Sequence, residues 1–393
     1  MNISKRIGIL ALWMVSMGSG MTSVAQTPST RVVDLTAPDG MHLKATYFAA
    51  GKAGPGVLLL HQCNRQRKVW DDLAKQMASA GLNVLTVDYR GYGESGGTPE
   101  EKLTDAENQK FFREQLPMDV ETAYQYLVAQ DGVNRQIIGV GGASCGVNQA
   151  IQAARRHTEV KALALLSGNT DHDGRGFLRT SPAVPIFVSA ADDDGDTVEI
   201  MQWIFSMSAN ASDKFVRYPA GGHGVEMFAA HPELPGVIVE WLAKNLRANA
   251  AAAKATAHTE TKREPNIVDV MDEPAGASKA AEIYEKARKR EPKAVLFSEA
   301  AVNQIGYEHI QLGDTKGAIE ILKLNVSAYP NSPNVYDSLA DAYLADGQKE
   351  LARENAKKAV ELIATDTKDN EQRRKGIKEN AEMKLKQLGA APQ

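Results

Sequence analysis

Gly142-Ala143-Ser144-Cys145-Gly146 is the stretch of sequence that decides how this chain folds. It follows the apolar β-type run Ile137-Ile138-Gly139-Val140 and precedes a helical pattern from Val147 to Arg156. A G-x-S-x-G sequence between a strand and a helix is typical of a nucleophile elbow, a turn so tight that side chains at its flanking positions would collide. We therefore predict that the turn lifts Ser144 Oγ out of a sheet, beside a helix N-terminus that favours a developing oxyanion.

Partners for this serine follow later in the chain. A serine hydroxyl needs a base before it attacks an acyl carbon efficiently, and the base needs an orienting acid. A buried-strand pattern over 185–189 leads into Asp192-Asp193-Asp194, and a second strand pattern over 214–218 leads into a glycine-rich turn with His223. Because each candidate follows a strand, all of them are expected at the carboxyl edge of a parallel sheet.

These residues resemble the α/β-hydrolase family, in which the order along the chain is Ser, then Asp or Glu, then His. Within that family they are similar to the small dienelactone-hydrolase-like members, and the resemblance covers about residues 31–247. It implies Ser144 as nucleophile, His223 as base and one of the three consecutive aspartates as acid. We choose Asp193, because the family places the acid three residues past a small residue that ends the strand, here Ala190. The neighbours Asp192 and Asp194 remain open.

The resemblance also implies an oxyanion hole formed by the backbone amides of Cys145 and Cys63. Two amides that converge on one substrate oxygen bring their Cα atoms within the distance that a disulfide spans, so we predict a Cys63–Cys145 bond. The alternative is two unrelated small buried residues. Two departures stand out: the loop reads His61-Gln62 where His-Gly is common, and dienelactone hydrolases carry cysteine where this chain has Ser144.

Composition sets further bounds on function. The chain has 393 residues, 43% of them hydrophobic and 24% charged, which is ordinary for globular protein. A net charge of −4 gives no electrostatic case for nucleic-acid binding. The acidic run 192–196 lacks the spacing of an EF-hand, and neither a zinc pattern nor a phosphate-binding loop occurs. We predict no metal and no cofactor, and a small acyl compound as substrate.

The first 25 residues read as a signal peptide. Lys5 and Arg6 precede an apolar run over 7–17, and Ser23-Val24-Ala25 offers a small-x-small cleavage site. We therefore predict a secreted or periplasmic protein without a stable membrane span after cleavage. An uncleaved anchor is the alternative, although the run is short for a span.

Strand and helix patterns alternate over residues 31–247. After an edge hairpin at 31–36 and 41–48, strands are predicted near residues 57, 84, 137, 162, 186 and 214, with helical stretches between them. This alternation predicts an α/β fold with a mostly parallel sheet and helices on both faces. The polar segment 93–116 is the only sizeable insertion, and 168–182 is predicted to be a short connection.

A second, all-helical region follows an Ala-Lys-Thr-rich linker at 248–265 and covers about 276–390. Gly313 and Gly347 are 34 residues apart, as are several small and apolar positions. Segments 299–332 and 333–366 therefore resemble two tetratricopeptide repeats, whose role would be protein interaction or domain packing. An ordinary helical bundle is the alternative. We expect a soft linker to leave the two domains independent.

Three functions fit these patterns. The first is an exported serine hydrolase that cleaves an ester or similar acyl compound, and the second is an exported peptidase or amidase with the same triad. The third is a noncatalytic adaptor on a hydrolase scaffold, against which stands the presence of Ser144, His223 and an aspartate together.

Overall fold

The computed structural model of the protein describes residues 28–252, 266–273 and 275–389. The predicted signal peptide and residues 253–265 of the predicted linker lie outside the described residues, whereas 248–252 continue a helix.

The strands are β1 Ser29–Thr36, β2 His42–Ala49, β3 Gly54–Leu60, β4 Asn83–Val87, β5 Val133–Ser144, β6 Val160–Gly168, β7 Ile186–Ala191 and β8 Lys214–Tyr218. The helices of this α/β domain are α1 Asp71–Ser79, α2 Asp105–Lys110, α3 Leu116–Val128, α4 Cys145–Arg156, α5 His172–Thr180, α6 Thr197–Met207, α7 Met227–Ala230 and α8 Leu234–Ala252. The helical region contains α9 Ile267–Met271, α10 Gly276–Arg290, α11 Glu299–Gln311, α12 Thr315–Ala328, α13 Pro333–Ala345, α14 Lys349–Ile363 and α15 Glu371–Gln387.

The eight strands form one sheet in the order β1-β2-β4-β3-β5-β6-β7-β8. Strands β1 and β2 pair antiparallel at one edge, and all later pairs from β4 to β8 are parallel. The predicted α/β fold class is confirmed. Since β3, β5, β7 and β8 run in the same direction, the loops after them share one edge of the sheet, where α/β folds bind ligands.

Helices cover both faces of the sheet because its central strands are apolar on both sides. In β3, Val57 and Leu59 point to the face covered by α1 and α8, whereas Leu58 and Leu60 point to the face covered by α3, α4 and α6. All four side chains are buried. This alternation of side chains along a strand fixes β3 at the centre of the domain.

Two segments differ from the prediction. The insertion over 93–116 contains α2, which a capping box between Thr104 and Glu107 begins, and a π-helical turn leads from it into α3. The predicted connection over 168–182 contains α5, whose first turn is capped by Asp171 accepting from Gly174 N at 2.9 Å. Both helices are short, and their N-terminal caps were the sequence signal for them.

The helical region contains two helical hairpins related by 34 residues. The first, α11 with α12, begins at Glu299, and the second, α13 with α14, begins at Pro333. Gly313 and Gly347 occupy equivalent turns within the hairpins, with φ of 82° and 77°, a backbone region that favours glycine. No helix within the described segments is long and apolar enough to cross a membrane.

The helical region packs on the α/β domain, contrary to the expectation of two independent domains. One apolar cluster continues from Met201 and Ile204 of α6 to Met271 of α9 and Val302 of α11. Next to it, the fully buried guanidinium of Arg175 on α5 donates to Asp272 at 2.9 Å and to Glu308 of α11 at 2.9 Å. Apolar periodicity reveals that each region has a core, but it does not reveal that the cores join.

Arg175→Met is expected to lower the free energy of unfolding by about 3 kcal/mol, because it leaves two carboxylates at the interface without their buried cation. Urea denaturation measures the effect. The matched control is Arg155→Met, which removes a surface arginine paired with Asp173 and is expected to cost at most about 1 kcal/mol. Equal effects of the two substitutions would contradict a buried, stabilising contact between the regions.

Candidate active site

Ser144 lies at the junction of β5 and α4 in a strained turn. Its backbone φ is 53° and ψ is −121°, a conformation that side chains rarely adopt. The flanking glycines make the turn possible: a Cβ on Gly142 would lie 2.0 Å from Gly146 O, and a Cβ on Gly146 would lie 2.5 Å from Leu60 O. The structure therefore contains the predicted elbow, with Ser144 partly exposed at its tip.

The two cysteines form a disulfide next to this turn. Cys63 lies in the loop after β3, Cys145 is the first residue of α4, and their Cα atoms are 5.9 Å apart. The Cys145 amide has no intrahelical acceptor at this position, and the Cys63 amide donates to no group of the described chain. The predicted pairing is thus present, and both amides are available beside Ser144.

His223 lies in the loop after β8 and contacts Asp194. Its Nδ1 is 2.8 Å from Asp194 Oδ2 and 2.9 Å from Oδ1. This hydrogen bond raises the pKa of His223, and partial burial opposes the rise. The carboxylate fixes the ring so that Nε2 is the nitrogen left to accept a proton.

The choice of Asp193 as acid is wrong in the structure. Asp193 accepts from the backbone amides of Gly221 at 3.0 Å and Gly222 at 3.1 Å, so it shapes the histidine loop instead. Strand β7 extends to Ala191, one residue beyond the predicted end. The acid still lies three residues past the strand, but this position is Asp194. Asp192 pairs with Arg217 and is also not the partner of His223.

Ser144 Oγ and His223 are not hydrogen-bonded to each other in the described chain. Their segments are nevertheless in direct contact: a Cβ on Gly224, the residue after His223, would lie 3.5 Å from the Cβ of Ala143. Catalytic hydrogen bonds often close only when substrate is bound. The structure thus brings Asp194 onto His223 and places the histidine loop against the elbow.

Gln62 is a site residue that sequence reasoning missed. Its buried side chain accepts from Val225 N at 3.0 Å and donates to Asn64 at 2.8 Å, so it joins the Cys63 loop to the histidine loop. A surface pair of Arg65 with Glu226 connects the same two loops. The sequence signal for this role was the departure from His-Gly, because a glycine at position 62 would have no side chain to join the two loops.

His61 has a structural role. Its Nε2 accepts from Tyr89 N at 3.2 Å, so Nδ1 carries the proton and donates to Gln62 O at 2.8 Å. Burial lowers the pKa of His61 to about 4, which keeps the ring neutral. Arg67 and Arg90 are buried and paired with Asp88 and Asp119. No cluster of three or more metal-ligating side chains occurs among the described residues.

The order of the strands and the turn at Ser144 together define an α/β-hydrolase fold. A family model described as Hydrolase_4, serine aminopeptidase S33, matches residues 52–216. Residues 52–216 are therefore similar to this hydrolase family, and the sheet around them has the order of an α/β-hydrolase fold.

Two similar proteins each match about a third of this chain. An uncharacterized protein of Mycobacterium tuberculosis is 30% identical over 145 residues, 36% of this chain and 47% of that protein. The thiohydrolase aneE of Aspergillus aculeatus is 28% identical over 137 residues, 34% of this chain and 40% of that protein. The chain thus spans less than half the length of either relative.

Solved structures similar to this chain include the Pyrococcus furiosus esterase Pf2001, at 20% identity and a TM-score of 0.44 over 56% of this chain and 94% of that one. A dienelactone hydrolase from Anabaena variabilis is 18% identical with a TM-score of 0.42, over 56% of this chain and 98% of that one.

Asp194→Asn is expected to lower kcat on the order of 10⁴-fold if the site works as other serine triads do, because the amide stabilises the wrong histidine tautomer. Asp193→Asn is the matched control, since it changes a neighbour that contacts only backbone amides. Rates of ester hydrolysis measure both variants. A larger loss for Asp193→Asn would reverse the assignment.

The pH dependence of kcat/KM is expected to reflect the raised pKa of His223. The base must be neutral, so activity falls as the pH drops through this pKa, and the midpoint should lie above the ordinary 6.5. Asp194→Asn removes the main cause of the rise. Titration of the imidazole by NMR, assigned with His223→Gln, should therefore show a lower pKa in that variant; an unchanged value would exclude Asp194 as the cause.

Purified mature protein is expected to contain no free thiol when denatured without reductant, and peptide mapping should recover Cys63 linked to Cys145. Reduction should lower stability by about 2–5 kcal/mol, since the bond closes a long loop. Reduction should also slow hydrolysis, because it frees the loop that carries one oxyanion donor. The double variant C63S/C145S serves as a non-reducible control, and full activity in it would separate the disulfide from catalysis.

Proposed function

We propose that this protein is an exported serine hydrolase that cleaves an ester or similar acyl substrate through Ser144, His223 and Asp194. The observation that carries the proposal is the Asp194–His223 hydrogen bond on a loop packed against a strained Ser144 elbow. A scaffold without catalysis needs neither the strain nor the oriented imidazole, which argues against the adaptor alternative.

The reaction follows from these positions. As Ser144 Oγ attacks the acyl carbon, His223 Nε2 takes its proton and Asp194 stabilises the resulting imidazolium. The amides of Cys63 and Cys145 donate to the oxygen of the tetrahedral intermediate. Collapse breaks the bond to the leaving group, which receives the proton from His223. Water then attacks the acyl-enzyme with His223 as base, and the acid product leaves Ser144 free.

Esters, thioesters and peptides are separate candidates for the scissile bond. The relative named a thiohydrolase favours a thioester, and the family model described as a serine aminopeptidase favours a peptide. Export is supported by the Cys63–Cys145 disulfide, a bond that persists in oxidising compartments, and by the N-terminal charge and apolar pattern. For the two 34-residue hairpins we propose tetratricopeptide repeats that serve domain packing.

A fluorophosphonate probe tests the proposal. The wild type should be labelled, and Ser144→Ala should be neither labelled nor active, with little change in melting temperature, because the partly exposed hydroxyl contributes little packing. A panel of 4-nitrophenyl esters, acyl thioesters and aminoacyl 4-nitroanilides then ranks the bond types by kcat/KM. An unlabelled, inactive wild type, or turnover by Ser144→Ala, would overturn the proposed function.

A further inference from the structure

A polar cavity of about 460 Å³ lies between the α/β domain and helix α11. One wall comes from α4 and the segment after β6, and the opposite wall comes from the helical region. The wall residues used below are Asn148, Asn169, Thr170, Gln304, Tyr307 and Gln311. Residues of both regions, which the sequence predicts to be separate, therefore line this cavity together.

Three residues that line this cavity lie near Ser144 or Asp194 along the chain or across the sheet. Asn148 lies on α4 one helical turn after Ser144. Asn169 directly follows Gly168, which is the register partner of Ser144 on the neighbouring strand β6. Asp196, which also lines the cavity, is two residues beyond Asp194. These positions place the cavity on the side of Ser144 that faces β6 and the turn after β7.

The charges around the cavity are already engaged by the protein. Glu308 is held by Arg175, and Asp196 is paired with Arg373 of α15. Asp171 accepts from Asn148 Nδ2 at 3.1 Å and from Gln152 Nε2 at 2.7 Å. Asn148, Thr170 and Tyr307 are likewise hydrogen-bonded within the protein, so the wall group considered next is the side-chain oxygen of Gln304.

The side-chain oxygen of Gln304 is a hydrogen-bond acceptor without a donor among the described residues. Its Nε2 donates to Thr170 O at 2.7 Å and to Glu308 at 3.0 Å, which fixes the amide orientation. Its Oε1 is buried and has no hydrogen-bond partner among the described residues. A buried acceptor without a donor raises the free energy of the protein. A ligand O–H or N–H that donates to this oxygen therefore binds more favourably.

We infer that α11 forms a wall of the substrate-binding site and that Gln304 accepts a hydrogen bond from a hydroxyl or amide N–H group of the substrate. The inference rests on the proposed function, because it takes Ser144 as the attacking group. The substrate class is thus an uncharged, hydroxyl- or amide-bearing acyl compound. The donor is carried either by the acyl part or by the alcohol part.

Two substrate pairs and three variants of the full-length protein test this inference. The pairs are 4-nitrophenyl butyrate with 4-nitrophenyl 3-hydroxybutyrate, for a donor on the acyl part, and propyl with glyceryl butyrate, for a donor on the alcohol part. Gln304→Met removes the acceptor at similar size. Gln311→Met changes an exposed residue of the same wall, and Gln387→Met on α15 is the control away from the cavity.

The wild type should prefer the hydroxylated member of at least one pair, and Gln304→Met should lower kcat/KM for that member alone by about 3–10-fold, the effect of one neutral hydrogen bond. Gln311→Met, which changes an exposed residue, should lower kcat/KM for the same hydroxylated member by a smaller factor without affecting the melting temperature, and Gln387→Met should change nothing. Fluorophosphonate labelling should persist in all three variants, which separates this inference from the proposed function.

Several outcomes overturn the inference. If Gln304→Met lowers kcat/KM equally for both members of a pair, the residue only supports the fold. If neither Gln304→Met nor Gln311→Met changes kcat/KM, the cavity is not part of the substrate-binding site. A preference for 4-nitrophenyl 4-aminobutyrate that Gln304→Met does not change would indicate recognition of a cation by the carboxylates. A wild type that is labelled but prefers the plain esters would overturn the substrate class while leaving the proposed function intact.

Discussion

The close packing of the elbow backbone on the end of β3 is the constraint on which the site depends. Gly146 lies so near the carbonyl of Leu60 that no side chain fits between them. This contact places the first turn of α4 against the loop that follows β3, where the disulfide joins Cys63 to Cys145. Gln62 of the same loop then holds the histidine loop through Val225. One close approach of two backbones thus aligns Ser144, the loop that carries Cys63 and the loop that carries His223.

The helical region contacts the α/β domain next to two parts of this site. Arg373 of α15 pairs with Asp196, in the turn that carries Asp194, and α11 lines a cavity that Asn148 of α4 also lines. Buried Arg175 and an apolar cluster shared with α6 hold the region in place. A single repeat unit cannot bury its apolar face alone, and here part of that face is covered by the hydrolase core.

Errors in the sequence predictions have local physical causes. The acid was misplaced by one position because the predicted end of β7 fell one residue early, and the end of a strand is set by pairing with its neighbours rather than by composition. The short helices α2 and α5 were missed because each has too few residues for apolar periodicity.

The sequence by itself determined the α/β fold, the elbow at Ser144, the histidine loop and the 34-residue spacing of the helical hairpins. These features are local: strand and helix periods, glycines in a tight turn and the order of motifs are written in contiguous residues. Tertiary structure alone decided that Asp194 contacts His223, that Gln62 joins two loops and that α11 packs on the α/β domain. Each of these depends on residues far apart in the chain, whose approach is fixed by packing and not by local preference.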